Sequence, residues 1–132
     1  TLDLHSTHCP GDVPFAFCDY PDKYNQTLIN ALDVEYVLEG WPEIYGRQQQ
    51  ITNYSTEHCA HAYGKTATTL ECGYHKAPEA AELAYRAIVG TLAAFGMTDG
   101  EFHAVSSVSE WTVLLLRNVR ENCAVLINIW IK

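Results

Sequence analysis

The sequence predicts an α/β fold with a mixed, largely parallel sheet flanked by helices, and three observations carry that expectation. Strand-like segments at 13–18 and 34–38 bracket a stretch with helical spacing. Strand, helix and strand thus fit within about 25 residues, the form of a βαβ crossover, which joins parallel strands. A run rich in β-branched residues at 66–71 is followed at once by a strong helix signal from Pro78. The tail holds two further apolar segments, Trp111 to Leu116 and Ala124 to Ile131, that read as strands although periodicity alone leaves helix open.

Taken in order, residues 1–4 read as the end of a strand. Residues 13–18 (Val-Pro-Phe-Ala-Phe-Cys) read as a second, with Pro14 confined to its first turn or to an edge. Asp19-Tyr20-Pro21-Asp22 is a helix-start signal, after which Tyr24, Leu28, Ala31 and Leu32 recur at helical spacing. Val34 to Leu38 reads as a strand closed by Gly40-Trp41-Pro42. Residues 43–65 are polar and irregular, with Gln48-Gln49-Gln50 and Asn53. Within them a short helix is expected near Ser55 to Tyr63, capped by Ser55 or Thr56 and ended by Gly64. The helix from about 78 to 95 is the most strongly signalled element. Glu79 and Glu82 suit its positive end, Gly96 stops it, and Ala81, Ala84, Ile88, Leu92 and Phe95 are expected to form its apolar face. Gly90 inside it costs about 1 kcal/mol relative to Ala, so packing must support the helix.

Composition bounds the function. The 132 residues suit one domain, 48% are apolar and 18% are charged, so the chain reads as globular. Unbroken aliphatic runs reach only four residues, far short of the roughly 20 that a transmembrane helix needs. Eight basic residues against sixteen acidic ones supply no basic face, so neither nucleic acid nor a membrane is an expected partner. Five cysteines form no CxxC pair, and an odd number cannot all pair within one chain. A reducing cytoplasm is the simplest reading.

Two histidine groups are compatible with soft-metal ligation, His5-Ser6-Thr7-His8-Cys9 and His58-Cys59-Ala60-His61. Asp3 and His5, two apart on a strand, leave it on the same face, where Asp3 could orient a metal-binding His5 from behind. Glu71 ends the strand Thr69-Leu70-Glu71 and is followed by Cys72 and Gly73. If that strand lies parallel to the first, Glu71 and His5 emerge at one sheet edge. A carboxylate there could take a proton from water and return it to a leaving nitrogen.

With these residues in view, the chain resembles the succinylglutamate desuccinylase/aspartoacylase family, relatives of the zinc carboxypeptidases. The resemblance rests on Asp3-Leu4-His5-Ser6-Thr7, on Thr66-Ala-Thr-Thr-Leu-Glu71-Cys-Gly73-Tyr-His75, and on the helix Pro78 to Ile88. It covers roughly residues 1–100, with Glu71 placed 66 residues after His5. It implies a zinc carboxypeptidase-like fold, His5 as the third zinc ligand and Glu71 as the general acid/base that activates water at the zinc. The implied substrate is an N-acyl amino acid or a similar small amide, and the implied cofactor is zinc.

The chain departs from the family in one large respect. The family's first two zinc ligands come from an HxxE motif upstream of the DLH strand, and no HxxE occurs in these residues. No arginine before Glu71 matches a substrate-carboxylate ligand either, since only Arg47 lies there. The expectation is therefore a portion of a zinc-dependent amidohydrolase, with residues 1–104 as a partial hydrolase-like α/β domain and 105–132 as a β-rich tail. Whether the chain itself is an enzyme is open on these residues. The alternatives are a diverged, non-catalytic binding module on the same scaffold and a Cys/His metal-binding protein using His8, Cys9, His58 or His61. A shortened sheet would also expose a strand edge through which copies could associate.

Overall fold

A computed structural model describes residues 1–42 and 55–99, together with the backbone of 112–119 and 124–129. Six strands form one sheet: β1 (Leu2–Thr7), β2 (Phe15–Phe17), β3 (Tyr36–Glu39), β4 (Thr68–Tyr74), β5 (Thr112–Val119) and β6 (Ala124–Ile129). Their order is β1-β4-β2-β3-β5-β6. The β1/β4, β2/β3 and β3/β5 pairs are parallel, while β2/β4 and β5/β6 are antiparallel. The mixed, largely parallel α/β sheet expected from the sequence is thus present. The polar stretch 43–54 and Cys123 lie outside the described residues.

The crossover from β2 to β3 is built around α1 (Lys23–Asn30). Asp22 caps it, its Oδ1 accepting the N–H groups of Tyr24 and Asn25 at 2.8 and 2.7 Å. Buried Asn25 is engaged at both ends of its amide: its Oδ1 accepts from Cys18 Sγ at 2.8 Å, and its Nδ2 donates to the Ala67 carbonyl at 2.9 Å. A polar side chain buried in this way costs little, and it joins the crossover to the start of β4.

Burial and the acidic side chains around it push the Cys18 thiol up to about 12 from 9.0, and burial also raises Cys72. Cys9 and Cys59 are exposed. Alkylation of the folded chain at pH 8 is therefore expected to label Cys9 and Cys59 first. Cys18, with a thiolate fraction about a thousandfold below an ordinary cysteine's, should react at the rate of unfolding. Peptide mapping by mass spectrometry reads the order, and early labelling of Cys18 would contradict the packing.

Helix α2 (Thr56–Ala62) is capped by Ser55, which settles the choice between Ser55 and Thr56, and Gly64 follows it at φ +64°. Helix α3 (Pro78–Ala94) begins and ends where the sequence predicts, with Gly96 at φ +65°. Its buried face differs from the expected one. Ala80, Leu83, Ala87 and Gly90 face the core, whereas Ala81 and Ile88 are exposed. Apart from Leu83 the inner face is made of small residues, the buried Gly90 among them, and of the expected face Ala84 packs half-buried against the same core. Ile88, Leu92 and Phe95 instead line an open cavity of about 410 Å³ beside Leu2, Leu4 and Leu28.

The main core joins Ala16, Leu32, Val34, Leu70, Cys72, Ala80, Leu83 and Ala87, with Leu2 and Leu4 packed against it. Strand alternation then decides the rest. With Leu2, Leu4, Leu70 and Cys72 turned toward α3, Asp3, His5, Thr69 and Glu71 emerge on the opposite face of the sheet.

Gly73 ends this part of β4 at φ +84°, and a Cβ there would stand 3.0 Å from the Asp12 carbonyl oxygen. The β1/β4 register shifts at the same level, between His5 and Thr7. Gly73→Ala combines a left-handed backbone with a backbone clash and is expected to lower stability by about 1–3 kcal/mol. Urea denaturation checks this, and an unchanged midpoint would show that the Asp12 loop yields freely.

Candidate functional site

Parallel pairing of β1 with β4 sets Asp3 opposite Thr69 and His5 opposite Glu71. Residues paired in this way project to the same side, so four polar side chains share one patch of sheet. His5 Nε2 lies 3.3 Å from Asp3 Oδ1, and His5 Nδ1 lies 3.5 Å from Glu71 Oε1. The imidazole therefore stands between two carboxylates, one at each ring nitrogen. Glu71 is mostly enclosed, with a side chain 17% exposed, whereas His5 is 52% exposed and open to a ligand. Glu71 Oε2 is buried and meets no hydrogen-bond partner among the described residues. An unmet buried oxygen beside a ring nitrogen is an arrangement that a bound ligand or water would complete.

Helix α2 abuts this patch through its first two residues. Thr56 Oγ1 donates to Asp3 Oδ2 at 2.7 Å. Glu57 is 2% exposed and accepts the Thr69 N–H at 2.9 Å and the Asp19 N–H at 3.3 Å. Its carboxylate thus bridges β4 to the chain leaving β2. Burial pushes the Glu57 carboxyl above its ordinary 4.5, against the pull of those N–H donors.

A carboxyl with a raised folded pKa binds its proton more tightly in the folded than in the unfolded chain. Its contribution to stability is present below about 4.5 and is lost as pH rises through the higher folded value. The stability of Glu57→Gln relative to the parent is therefore expected to rise with pH above 4.5 and then level off. Urea denaturation of both chains across a pH series reads this, and a pH-independent difference would contradict it.

On the other side of Glu71 stands Phe15, its antiparallel partner in β2. Phe15 packs edge-on against Phe17 at 5.5 Å between centroids, and Phe17 meets Trp41 at 5.5 Å. The sequence offers no signal that separates these aromatic residues from ordinary packing. Thr56 and Glu57 were equally hidden, since their positions read as helix start and nothing more.

The other described histidines are placed elsewhere, and His103 lies outside the described residues. His8 and His75 meet edge to face at 4.7 Å, and His75 Nδ1 lies 2.9 Å from the Thr7 carbonyl. Tyr20 OH pairs with His58 Nδ1 at 2.7 Å, and the Tyr20 ring stacks on His61 at 4.1 Å. Among the described residues no group of three or more His, Cys, Asp or Glu side chains is arranged to hold a metal ion. Arg86 on α3 pairs with Asp33 at 3.4 Å. Arg47 lies outside the described residues, as do the side chains of Arg117 and Arg120. No described helix is long and apolar enough to cross a membrane.

No family model and no curated protein matches the sequence. Among solved structures the fold is shared. The product-bound ectoine utilization protein EutE (DoeB) from Ruegeria pomeroyi superposes with a TM-score of 0.60 at 20% identity, over 89% of this chain and 35% of its own. A succinylglutamate desuccinylase/aspartoacylase from Rhodobacter sphaeroides gives 0.62 at 14% identity, over 89% and 34%. A succinylglutamate desuccinylase from Silicibacter sp. TM1040 gives 0.59 at 20% identity, over 86% and 33%. The chain spans about a third of the length of each of these structures.

Proposed function

We propose that these residues carry the histidine-and-base portion of a metal-dependent amidohydrolase acting on an N-acyl amino acid or a similar small amide. The observation that carries this reading is the pairing of His5 with Glu71 across adjacent parallel strands, with Nδ1 and Oε1 3.5 Å apart. The shared fold with succinylglutamate desuccinylase/aspartoacylase structures supports it.

The donors fit zinc in part. His5 Nδ1 is a suitable nitrogen ligand, Asp3 stands at the ring's other nitrogen as carboxylates do behind zinc-binding histidines, and Glu71 Oε2 is left unmet. A catalytic zinc takes three protein ligands. Two ligands would therefore come from polypeptide beyond the described residues. When bound, zinc would acidify water and polarise the scissile carbonyl.

The chain's own residues supply the proton chemistry. Glu71 accepts a proton from water on a carboxylate oxygen and delivers it to the departing amide nitrogen, so one carboxyl acts as base and then as acid. Its enclosure keeps bulk water from competing for that proton. His5 holds the ligand side of the site open, being half exposed. Phe15 beside Glu71 limits access from the β2 side.

The test is amine release from a panel of N-acyl amino acids by the polypeptide encoded by the whole reading frame that contains these residues. Zinc-dependent release that a chelator abolishes supports the reading. Absence of release across acetyl, succinyl and longer acyl groups, in a zinc-loaded folded protein, would favour the non-catalytic binding module. The 132 residues alone are expected to bind zinc weakly and to release little amine.

A further inference from the structure

Two hydrogen bonds from the start of α2 reach the strand pair that carries the candidate site. Thr56 holds Asp3 on β1, and Glu57 holds Thr69 on β4. Asp3 and Thr69 are themselves register partners, two residues along the strands and on the same face as the partners His5 and Glu71. The helix therefore grips the pair immediately behind the functional pair, one residue on each strand.

The two grips differ in kind. Glu57 is buried and takes backbone N–H groups, so its removal disturbs the fold. Thr56 is exposed, and its single described hydrogen bond goes to a carboxylate oxygen, Oδ2, while the other oxygen of the same carboxylate, Oδ1, faces His5 Nε2. An exposed threonine hydroxyl contributes little to stability. It can nevertheless decide where Asp3 points.

That direction matters because His5 has carboxylates at both ring nitrogens, at 3.3 and 3.5 Å. A neutral imidazole carries one proton, and the nitrogen that keeps it is the one with the better acceptor. The other nitrogen presents its lone pair. We propose that Thr56 is a positioning residue: by anchoring Asp3 it fixes the His5 proton on Nε2 and leaves the Nδ1 lone pair facing Glu71. The consequence for catalysis rests on the reading of the site given above. The proton's location does not, and it can be measured in the metal-free chain.

The experiment is ¹⁵N spectroscopy of the His5 ring in the metal-free 132-residue chain, followed upward in pH until the ring shifts stop moving. Nε2–H is expected to dominate in the parent. Thr56→Ala and the shape-conserving Thr56→Val are each expected to lower the ratio of Nε2–H to Nδ1–H about tenfold, the scale of one hydrogen bond's net contribution. Thr56→Ser, which keeps the hydroxyl, should restore the ratio. Thr27→Ala is the control, because it removes an exposed threonine hydroxyl that donates to Lys23 O at 2.9 Å on α1. It should leave His5 unchanged.

An unchanged ratio in Thr56→Val overturns the proposal, as does an equal change in Thr27→Ala or a failure of Thr56→Ser to restore it. Should the whole polypeptide release no amine while the ratio still follows the Thr56 hydroxyl, the function reading fails and the positioning role stands. Amine release with a ratio indifferent to Thr56 gives the converse.

Discussion

On the proposed function, Glu71→Gln is expected to lower amine release by the whole polypeptide about a thousandfold, within the range by which a positioned acid/base side chain contributes. The amide has nearly the shape of the carboxylate, so the strand pairing and the contact with Phe15 should survive. What it lacks is the capacity to take a proton from water and give it to the leaving nitrogen. The loss should therefore appear in kcat, with KM little changed, because substrate binding does not require the proton transfer. His5→Ala should lose as much by a different route, through metal content. Zinc analysis would separate the two: Glu71→Gln is expected to keep the metal content of the parent, and His5→Ala to lose it. Retention of more than about a tenth of parental turnover by Glu71→Gln would remove this residue from the chemistry, since acid/base partners contribute at least about a hundredfold.

Leu70→Ala is expected to lower the folding free energy by about 2–5 kcal/mol, the cost of emptying a well-packed site. Leu70 is fully buried at the centre of the main core, among Ala16, Leu32, Val34 and Leu83. Three of the seven other buried members of that core are alanines (Ala16, Ala80 and Ala87), and such small side chains cannot collapse far into the space. Against a total stability of about 5–15 kcal/mol for a domain of this size, such a loss leaves a chain that is marginal at best. Urea denaturation should show a lower midpoint with an unchanged slope. Leu70→Val removes less volume and should cost well under half as much. Similar effects from the two would show that the site relaxes around its occupant. Leu70 immediately precedes Glu71, so the same strand secures the core with one residue and serves the site with the next.

Several elements were legible because local signals decide them. The helix start at 19–22, the short helix near Ser55 to Tyr63, Pro78 at the start of α3 and glycines at 64 and 96 depend on residues a few positions apart, although Asp22 rather than a residue before Pro21 proved to be the first cap. The β2-α1-β3 crossover was legible for the same reason, and with it the parallel direction of β2 and β3. The buried face of α3 was not. By pattern, Ala81, Ala84, Ile88, Leu92 and Phe95 form a good apolar stripe, yet the helix turns Ala80, Leu83, Ala87 and Gly90 inward, and of the stripe Ala84 packs on the main core. Hydrophobicity alone ranks large side chains first, whereas close packing against a sheet favours alanine and glycine.

The candidate site divides along the same line. The sequence by itself singled out which residues could act: a carboxylate and a histidine two apart on one strand, and a second carboxylate on another. It placed His5 and Glu71 at strand ends, whereas β1 runs on to Thr7 and β4 to Tyr74, so both project from within their strands. It also determined that Asp3 and His5 share a face, since strand alternation is a local property. Only the tertiary structure decided that β1 and β4 are neighbours in the register that sets His5 against Glu71. Only it brought Thr56 and Glu57 from a separate helix onto Asp3 and Thr69, and Phe15 onto the far side of Glu71. The physical reason is that strand order and register are fixed by burial of one whole sheet face. Leu2, Leu4, Leu70 and Cys72 go toward the helices together, and the polar residues between them are carried, as a consequence, to a common place on the other side.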